Sequence, residues 1–171
     1  MENKQRTINE NALYYGLLTG LALIIYSLIL YIFDASTNKT LGYFSMLILA
    51  LAMFLSAKSY RDQSNDGFIS YSRALGASVL TALYASVLLG LYTFIFYKYI
   101  DPEAIKPLLE AAETEMYKQG LEDRELDQAM EMTKKFMTPG WMLGMTTLTN
   151  MFWGTLIALI TSIFVKREQK I

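Results

Sequence analysis

The sequence predicts an all-α polytopic membrane protein with four transmembrane helices and an extramembrane helical hairpin between spans three and four. Four long apolar stretches lack Asp, Glu, Lys and Arg, the charged residues lie in the gaps, and the longest gap has the periodicity of two amphipathic helices. The stretches cover residues 12–33, 41–57, 74–97 and 141–165. Each has about 17–25 residues, enough for an α-helix to cross a hydrocarbon core about 30 Å thick.

The first stretch follows the charged sequence MENKQR, which resembles the start of a signal peptide. Its apolar run is longer than a typical signal core, and no small-x-small cleavage site follows it. We therefore expect a retained first span, followed by a short loop at residues 34–39. The whole chain, residues 1–171, then forms one four-helix membrane domain, with the hairpin at residues 101–140 as an insert.

Positively charged residues indicate how the spans are oriented. They precede the first span, flank the loop between spans two and three, and follow the fourth span, whereas the loop between spans one and two holds Lys39 alone. The positive-inside rule therefore places both termini in the cytoplasm and residues 101–140 outside. That outer segment has ten acidic and five basic residues, but a loop of this length contributes little to orientation. The basic residues on the cytoplasmic side are Lys4, Arg6, Lys58, Arg61, Arg73, Lys166, Arg167 and Lys170.

Aromatic residues cluster at the predicted span boundaries, among them Tyr31, Phe33, Tyr97, Tyr99 and Trp141. Tyr and Trp are enriched at membrane–water interfaces, because their rings combine an apolar body with a polar edge. We interpret these residues as interfacial anchors.

Small residues recur every four positions in three of the spans, so they share one face of each helix. In lipid, helices associate through close packing and interhelical hydrogen bonds, and small residues let the backbones approach each other. We therefore predict contact surfaces, either within the bundle of one copy or toward a second copy or a membrane-protein partner. The predicted packing residues are Gly16, Gly20, Ser78, Ala82, Ser86, Gly90, Asn150, Gly154 and Ala158.

Asn150 is the most polar side chain within any predicted span. We expect it to hydrogen-bond a backbone carbonyl or a hydroxyl such as that of Ser86 across the bundle, worth about 1 kcal/mol; a substrate contact is the alternative. Leu88 falls opposite the small residues of span three, so we expect it to matter less for packing. A transporter normally buries an ionisable group or breaks a helix near mid-membrane, but these spans contain neither charge nor proline.

The segment at residues 101–140 has the pattern of two amphipathic helices. Pro102 and Pro107 suit helix starts, Gly120 suits a helix stop, and Pro139 ends the second apolar pattern. Two such helices predict an αα-hairpin with an acidic, solvated outer face. Its apolar face could lie on the membrane, cover the bundle or bind a partner. The residues expected to dock the two helices against each other, the bundle or the membrane surface are Leu109, Ala112, Met116, Met130 and Phe136.

The loop after span two contains DQSNDGFISYSR, which matches part of a calcium-binding EF-hand loop. Asp62 and Asp66 stand at ligand positions, and Gly67 stands at the turn position. Arg73, however, occupies the place where the ion needs a bidentate glutamate. We therefore interpret the segment as an Asn65-Asp66-Gly67 turn, with Arg73 extending toward the lipid headgroups.

Composition argues against most catalytic chemistry. The chain has no cysteine and no histidine, which removes thiolates, the usual general base at neutral pH and the commonest zinc ligand. No Gly-rich phosphate loop or metal-ligand cluster occurs in the sequence, and a net charge of -1 offers no basic surface for nucleic acid. We predict no enzymatic activity, no catalytic or metal site, no cofactor and no nucleic-acid partner.

Several segments together resemble a known family. These are YYGLLTG at the start, KSYRDQSNDGFISYSRALGASV after span two, YKYIDPEAIKPLLEAAETEMYKQG after span three, and EMTKKFMTPG before a last span that ends in VKREQK. In order and spacing they resemble the uncharacterised family of small four-span membrane proteins designated domain of unknown function 4199, found mostly in Bacteroidetes. The resemblance covers nearly the whole chain and implies a bacterial inner-membrane location and a single family domain. It implies no activity and no functional residue.

Two functions stay open from the sequence. The first is a small non-enzymatic structural or accessory subunit of the inner membrane, multi-pass with both termini cytoplasmic, which acts through its helix faces and acidic hairpin. The alternative is a transporter or channel component that assembles as an oligomer. A partner subunit predicts an exposed apolar patch on the hairpin, whereas a transporter predicts polar residues on a face directed into the bundle.

Overall fold

The computed structural model describes residues 6–64 and 66–168, and these residues form six α-helices without a β-sheet. A π-helical turn at Phe96–Ile100 extends the third helix, and a 3-10 turn at Pro102–Ala104 precedes the fourth. The helices are α1 (Ile8–Ile32), α2 (Lys39–Ser64), α3 (Tyr71–Ile95), α4 (Ile105–Lys118), α5 (Asp123–Phe136) and α6 (Pro139–Val165).

Four of these helices are long and apolar enough to cross a membrane, which confirms the predicted spans by length and composition. They are α1, α2, α6, and α3 together with its π turn, and their mean hydropathy lies between 1.7 and 2.0. α2 continues past the predicted end of span two, through Lys58 and Arg61. Because a helix satisfies its own backbone N–H and C=O groups, it can extend beyond the apolar window.

α3 is the central helix of the bundle. It packs against α1, α2 and α6, and α2 in turn contacts both α1 and α6. Buried apolar residues form two clusters between these helices. One consists of Leu49, Met53, Ala82, Ala85 and Ala158, and the other of Ala57, Ile69, Ala74, Ala77 and Val165.

Small and hydroxyl-bearing residues make up much of the bundle interior beside these apolar clusters, and large apolar residues cover its surface. Ser56, Ser78 and Thr81 are all fully buried. Leu21 and Ile25 on the outer face of α1 are 52% and 59% exposed. Lipid tails are as apolar as these side chains, so the outer surface suits a lipid environment.

The two ends of the bundle are closed by different segments. At one end, which we call the Arg61 end, Ile69 and Arg167 form an isolated antiparallel bridge with N···O distances of 2.8 and 2.9 Å. The Arg61 guanidinium donates there to the Val165 carbonyl at 3.0 Å and to the Asp62 carboxylate at 2.6 Å. At the opposite end, which we call the α4 end, the α1–α2 loop, the π turn and the start of α6 lie near the start of α4.

α4 and α5 occupy the segment between the third and fourth spans and contact each other. Gly120 lies in the turn between them with a φ of +87°, a left-handed conformation that glycine adopts at low cost. Met130 is 7% exposed, and the other expected docking residues on this face, Leu109, Ala112 and Met116, are half-buried.

Phe136 contacts the bundle, which is one of the surfaces expected to dock this segment. It is 48% exposed, and its ring packs edge-to-face on Trp141 with the centroids 5.2 Å apart. Phe136 is the last residue of α5 and Trp141 lies in the first turn of α6. The end of the segment therefore packs on the last span instead of on α4.

Candidate functional site

The small-residue face of α1 packs against α3 within one copy of the chain, at α3 residues outside the small-residue face predicted for that helix. A Cβ atom on Gly16 would lie 2.5 Å from the Tyr84 Cβ, and one on Gly20 would lie 2.8 Å from the Leu88 Cδ2. The helices approach this closely because glycine has no side chain. Leu88 is therefore a contact of α1, although it lies opposite the small residues of span three. α3 is packed on three sides, so the residues opposite one neighbour face another.

Gly90 and Gly154 bring α3 and α6 together in the same way. A Cβ atom on Gly90 would collide with the Thr147 hydroxyl, and one on Gly154 would lie 2.7 Å from the Ala82 Cβ. Ala82 and Ala158 are 1% and 0% exposed and share one cluster.

Ser78 and Ser86 lie inside the bundle, but they make different hydrogen bonds. The Ser78 hydroxyl donates to the Met53 carbonyl of α2 at 3.5 Å. The Ser86 hydroxyl donates to the Leu83 carbonyl of its own helix at 2.9 Å. Ser78 thus connects two helices, whereas Ser86 contributes mainly its small size.

Asn11, and not Asn150, uses its side-chain amide for a hydrogen bond between helices. Asn150 is half-buried and donates to the Thr146 carbonyl of its own helix at 2.9 Å. Asn11 is 1% exposed, and its amide donates to the Ser56 carbonyl at 2.9 Å and to the Ser56 hydroxyl at 3.3 Å. The Ser56 and Thr81 hydroxyl oxygens are 2.7 Å apart, so hydrogen bonds join α1, α2 and α3.

The sequence pattern did not indicate Asn11, because this residue lies one position before the apolar stretch that starts at residue 12. The small-residue face of Gly16 and Gly20 continues through the buried Ala12 to the adjacent Asn11. Extending that face by one residue would have included it.

The calcium-like loop forms a turn over its described residues. Asp66 and Gly67 have φ values of +51° and +80°, and the Gly67 N–H donates to the Arg61 carbonyl at 2.9 Å. Asp62 is bound to the Arg61 guanidinium. Asn65 lies outside the described residues. Within residues 6–64 and 66–168, no group of three or more acidic side chains is arranged to hold a metal ion.

A cavity of about 760 Å³ opens at the α4 end of the bundle. Its walls come from the end of α1, the α1–α2 loop, the end of α3 with the π turn, the start of α4 and the start of α6. In the part of the chain that the structure describes, no lysine or arginine lines it. The acidic and aromatic lining residues are Asp34, Asp101, Glu103, Tyr31, Tyr92, Phe96 and Tyr97.

Hydrogen bonds order the acidic side of the cavity. The Tyr31 phenol donates to the Asp101 carboxylate at 2.5 Å, and the same carboxylate accepts the Glu103 backbone N–H at 3.0 Å. Glu103 also pairs with Lys106, and this hydrogen bond raises the pKa of Lys106 above its ordinary value. Among the described residues, the Asp34 carboxylate makes no hydrogen bond or ion pair.

The π turn positions the aromatic side of the cavity. In this turn the Asp101 N–H donates to the Phe96 carbonyl, five residues earlier, at 2.9 Å. Phe96 is 4% exposed, and its ring packs edge-to-face on Tyr31 and Tyr97 at centroid distances of 5.0 and 5.2 Å. A π turn shifts the register of the following side chains and frequently occurs at functional sites.

The family model described as "Protein of unknown function (DUF4199)" matches residues 14–167. The chain belongs to this family. The matched region includes all the described lining of the cavity and nearly all of the four spans, and it confirms the family that the sequence segments resemble. No curated protein and no solved structure matches the chain.

Some of the aromatic residues that we interpreted as interfacial anchors line the cavity, and others lie outside it. Tyr31 and Tyr97 line it, whereas Phe33 and Tyr99 are 76% and 67% exposed. The sequence did not indicate a cavity, because its walls come from three stretches far apart in the chain, residues 27–37, 92–108 and 142–146. The short polar elements next to the boundary aromatics, such as YKYIDPE, are the signal that could have indicated it.

Proposed function

We propose that this protein is a small, non-enzymatic structural or accessory subunit of the bacterial inner (cytoplasmic) membrane. Its α4–α5 segment is the extramembrane hairpin and contacts another membrane protein. The supporting observation is that apolar side chains stay exposed along a segment that contacts the bundle through Glu115 of α4 and Phe136 of α5. Tyr117 of α4 is 68% exposed and Met132 of α5 is 60% exposed.

Two contacts hold the segment to the bundle. The Lys39 ammonium at the start of α2 lies 2.9 Å from the Glu115 carboxylate of α4, and it lowers the pKa of Glu115 below its ordinary value. At the end of α5, Phe136 packs on Trp141. Between these contacts, α4 has no buried residue and α5 has Met130.

The packing inside the segment is too small to account for its order. A two-helix unit of this size cannot bury enough apolar surface to fold alone. Each large apolar side chain left in water forfeits about 1.5–3 kcal/mol, and an exposed apolar patch is typical of a contact site. The acidic excess at residues 101–140 favours a protein partner over the bilayer surface, because anionic lipids repel carboxylates.

The distribution of basic residues supports cytoplasmic termini. Outside the α4–α5 segment, the α4 end carries Lys39 and Lys98 among its described residues. The Arg61 end is richer in lysine and arginine, and this is the asymmetry that the positive-inside rule associates with the cytoplasm. The described basic residues at that end are Arg6, Lys58, Arg61, Arg73, Lys166 and Arg167.

The partner proposal can be tested by site-specific photo-crosslinking in native membranes. A photoreactive amino acid is introduced at Tyr117 or Met132, with Ala111 and Lys134 as matched controls on other faces of the same two helices. We expect one shared adduct from positions 117 and 132, weak adducts from the controls, and a membrane protein that recovers this chain in reciprocal purification. Lipid adducts alone would contradict the proposal. An adduct of two 19.5-kDa chains would replace the partner with a second copy.

The orientation can be tested with single cysteines, since the natural chain has none. Arg61 is a poor probe because its side chain is 16% exposed and hydrogen-bonded, so we choose the exposed Gln63. In intact spheroplasts, an impermeant maleimide should label Glu113→Cys, and it should label Gln63→Cys only after permeabilisation. The reverse pattern would invert the topology.

A transporter or channel component is the second candidate. The observation that favours it is that the cavity reaches Ser27 of α1 and Thr146 of α6, two hydroxyl-bearing residues within the spans. This function predicts uptake of a solute into proteoliposomes that contain the purified protein as an oligomer. Absence of uptake, together with a crosslinked partner, favours the accessory subunit.

A further inference from the structure

The cavity at the α4 end has no role in the accessory function proposed above. We propose that it is a binding site for an organic ammonium cation, which pairs with the carboxylates of Asp34 and Asp101 and packs against the ring of Tyr97. The inference depends on the cavity and its lining, and it holds whether or not the α4–α5 segment binds a partner.

The charge of the lining selects a cation. Three carboxylates line the cavity, and no basic side chain does so among the described residues. Glu103 is already paired with Lys106, which leaves Asp34 and Asp101 as the carboxylates available to a ligand. Asp101 accepts two hydrogen bonds, from Tyr31 and from the Glu103 N–H, but an ionised carboxylate has about four acceptor positions. It can therefore accept a further donor without losing its present partners.

The aromatic lining selects an organic ammonium. Aromatic faces attract ammonium groups through the ring quadrupole, at distances within about 6 Å of the ring centre. Tyr31, Tyr92 and Tyr97 surround the buried Phe96, and edge-to-face pairs with Phe96 hold the rings of Tyr31 and Tyr97. A wall of fixed rings next to carboxylates is the arrangement that recognises alkylated ammonium groups.

The size of the cavity favours a small organic molecule as its ligand. About 760 Å³ lies within the range of small-molecule pockets, which is about 300–1,000 Å³. Over the described residues, no three acidic side chains come close enough together to bind a metal ion. The ligand should therefore have an apolar body as well as a charged group.

An organic ammonium that binds in this cavity can come from two sources. It can be a free amine, or it can be the head group of a phospholipid such as phosphatidylethanolamine. Both present the same ammonium chemistry to Asp34 and Asp101. The lipid also carries a phosphate, which the acidic lining would repel, so a free amine fits the cavity better.

The test is isothermal titration of the full-length protein in a non-ionic maltoside detergent with choline as the probe. The control ligand is the neutral analogue in which a tert-butyl group replaces the trimethylammonium group. We expect choline to bind with a Kd of about 1 mM or tighter and the neutral analogue to bind at least about tenfold more weakly.

Matched variants localise the binding. Tyr97→Leu should weaken choline binding about tenfold, whereas Tyr99→Leu, at an exposed tyrosine outside the cavity lining, should leave it unchanged. Asp34→Asn changes an exposed carboxylate that has no described partner, so it preserves the fold and should also weaken binding about tenfold. If Tyr97→Leu fails to fold, the Asp34→Asn variant tests whether choline binds in the cavity.

The remaining outcomes either distinguish a free amine from a phospholipid head group or contradict a cation site in the cavity. In phosphatidylglycerol nanodiscs, added phosphatidylethanolamine should leave choline affinity unchanged if the natural ligand is a free amine; a tenfold loss would identify the lipid head group as the ligand. Absence of choline binding would overturn the proposal. So would equal binding of the neutral analogue, or an Asp34→Asn variant that binds choline like the wild type.

Discussion

The membrane bundle and the α4–α5 segment differ in how much of their buried interior consists of small and hydroxyl-bearing side chains. Inside the bundle lie Gly16, Ser56 and Thr81, while Leu21 and Ile25 point outward. In the α4–α5 segment the most buried side chain is the large apolar Met130, and charged residues cover the outer face.

The difference follows from the surroundings of each region. Lipid tails are as apolar as leucine side chains, so burying such side chains between helices gains no hydrophobic free energy. Helices in lipid therefore associate through close backbone packing and hydrogen bonds. Water drives apolar side chains together, which favours large buried residues. The same kind of substitution should therefore have opposite effects in the two regions: added volume should harm the bundle, and removed volume should harm the segment.

The largest effect is expected from adding volume at Gly16. Gly16→Leu would force side-chain atoms into the α3 backbone, since even a Cβ would lie 3.0 Å from the Thr81 carbonyl oxygen. We expect a loss of about 3 kcal/mol in SDS-induced unfolding, at the upper end of overpacking costs. Gly144→Leu is the matched control, because nothing lies within 4 Å of a Cβ at that position and both changes gain the same helix propensity. Equal losses would refute close packing at Gly16.

The next effect tests the segment by removing volume. Met130→Ala should cost about 2 kcal/mol, the lower end for a buried Met→Ala change, and should speed amide exchange in α4 and α5. Met132→Ala, in the same helix at a position that is 60% exposed, is the control and should change little. If Met132→Ala proved the more harmful in native membranes, Met132 would be buried there by a partner.

The third effect concerns the polar contact between spans. Asn11→Ala should cost about 1–2 kcal/mol, because it removes the hydrogen bonds that α1 makes to Ser56 of α2. Asn150→Ala removes a hydrogen bond within one helix and should cost less than about 0.5 kcal/mol. Unfolding in mixed micelles measures both values. A larger loss at Asn150 would mean that this residue contacts something beyond its own helix.

The smallest effect comes from the exposed pair of Lys39 and Glu115. Lys39 lowers the pKa of Glu115, with Lys118 contributing in the same direction, so the pair stabilises the folded state above the ordinary glutamate pKa of 4.5. This contribution is lost as the pH falls below that value and Glu115 becomes protonated in the folded state. The protection of the α4 amides, which is their exchange rate relative to the intrinsic rate at the same pH, should therefore weaken between about pH 5 and 3. Lys39→Gln should remove this pH dependence; an unchanged profile in that variant would assign it to other carboxylates.

The sequence predicts the bundle better than the segments attached to it. Four uncharged apolar stretches are enough to define four spans, since charged residues are costly in lipid and backbone groups must pair within each helix. Gly16, Gly90 and Gly154, which lie on the four-residue spacing, are positions where a Cβ atom would meet a neighbouring helix. The same spacing did not indicate that Leu88 contacts α1, because a pattern within one helix does not reveal how many neighbours surround that helix.

Local patterns by themselves determined that this chain has four long apolar helices and two amphipathic ones. Tertiary structure alone decided that Asn11, and not Asn150, joins the helices, and that Tyr31 lies 2.5 Å from Asp101, seventy positions away. The physical reason is that a helix needs only its own residues to satisfy its backbone. A cavity or a polar contact between helices needs partners that are brought together only when the bundle packs.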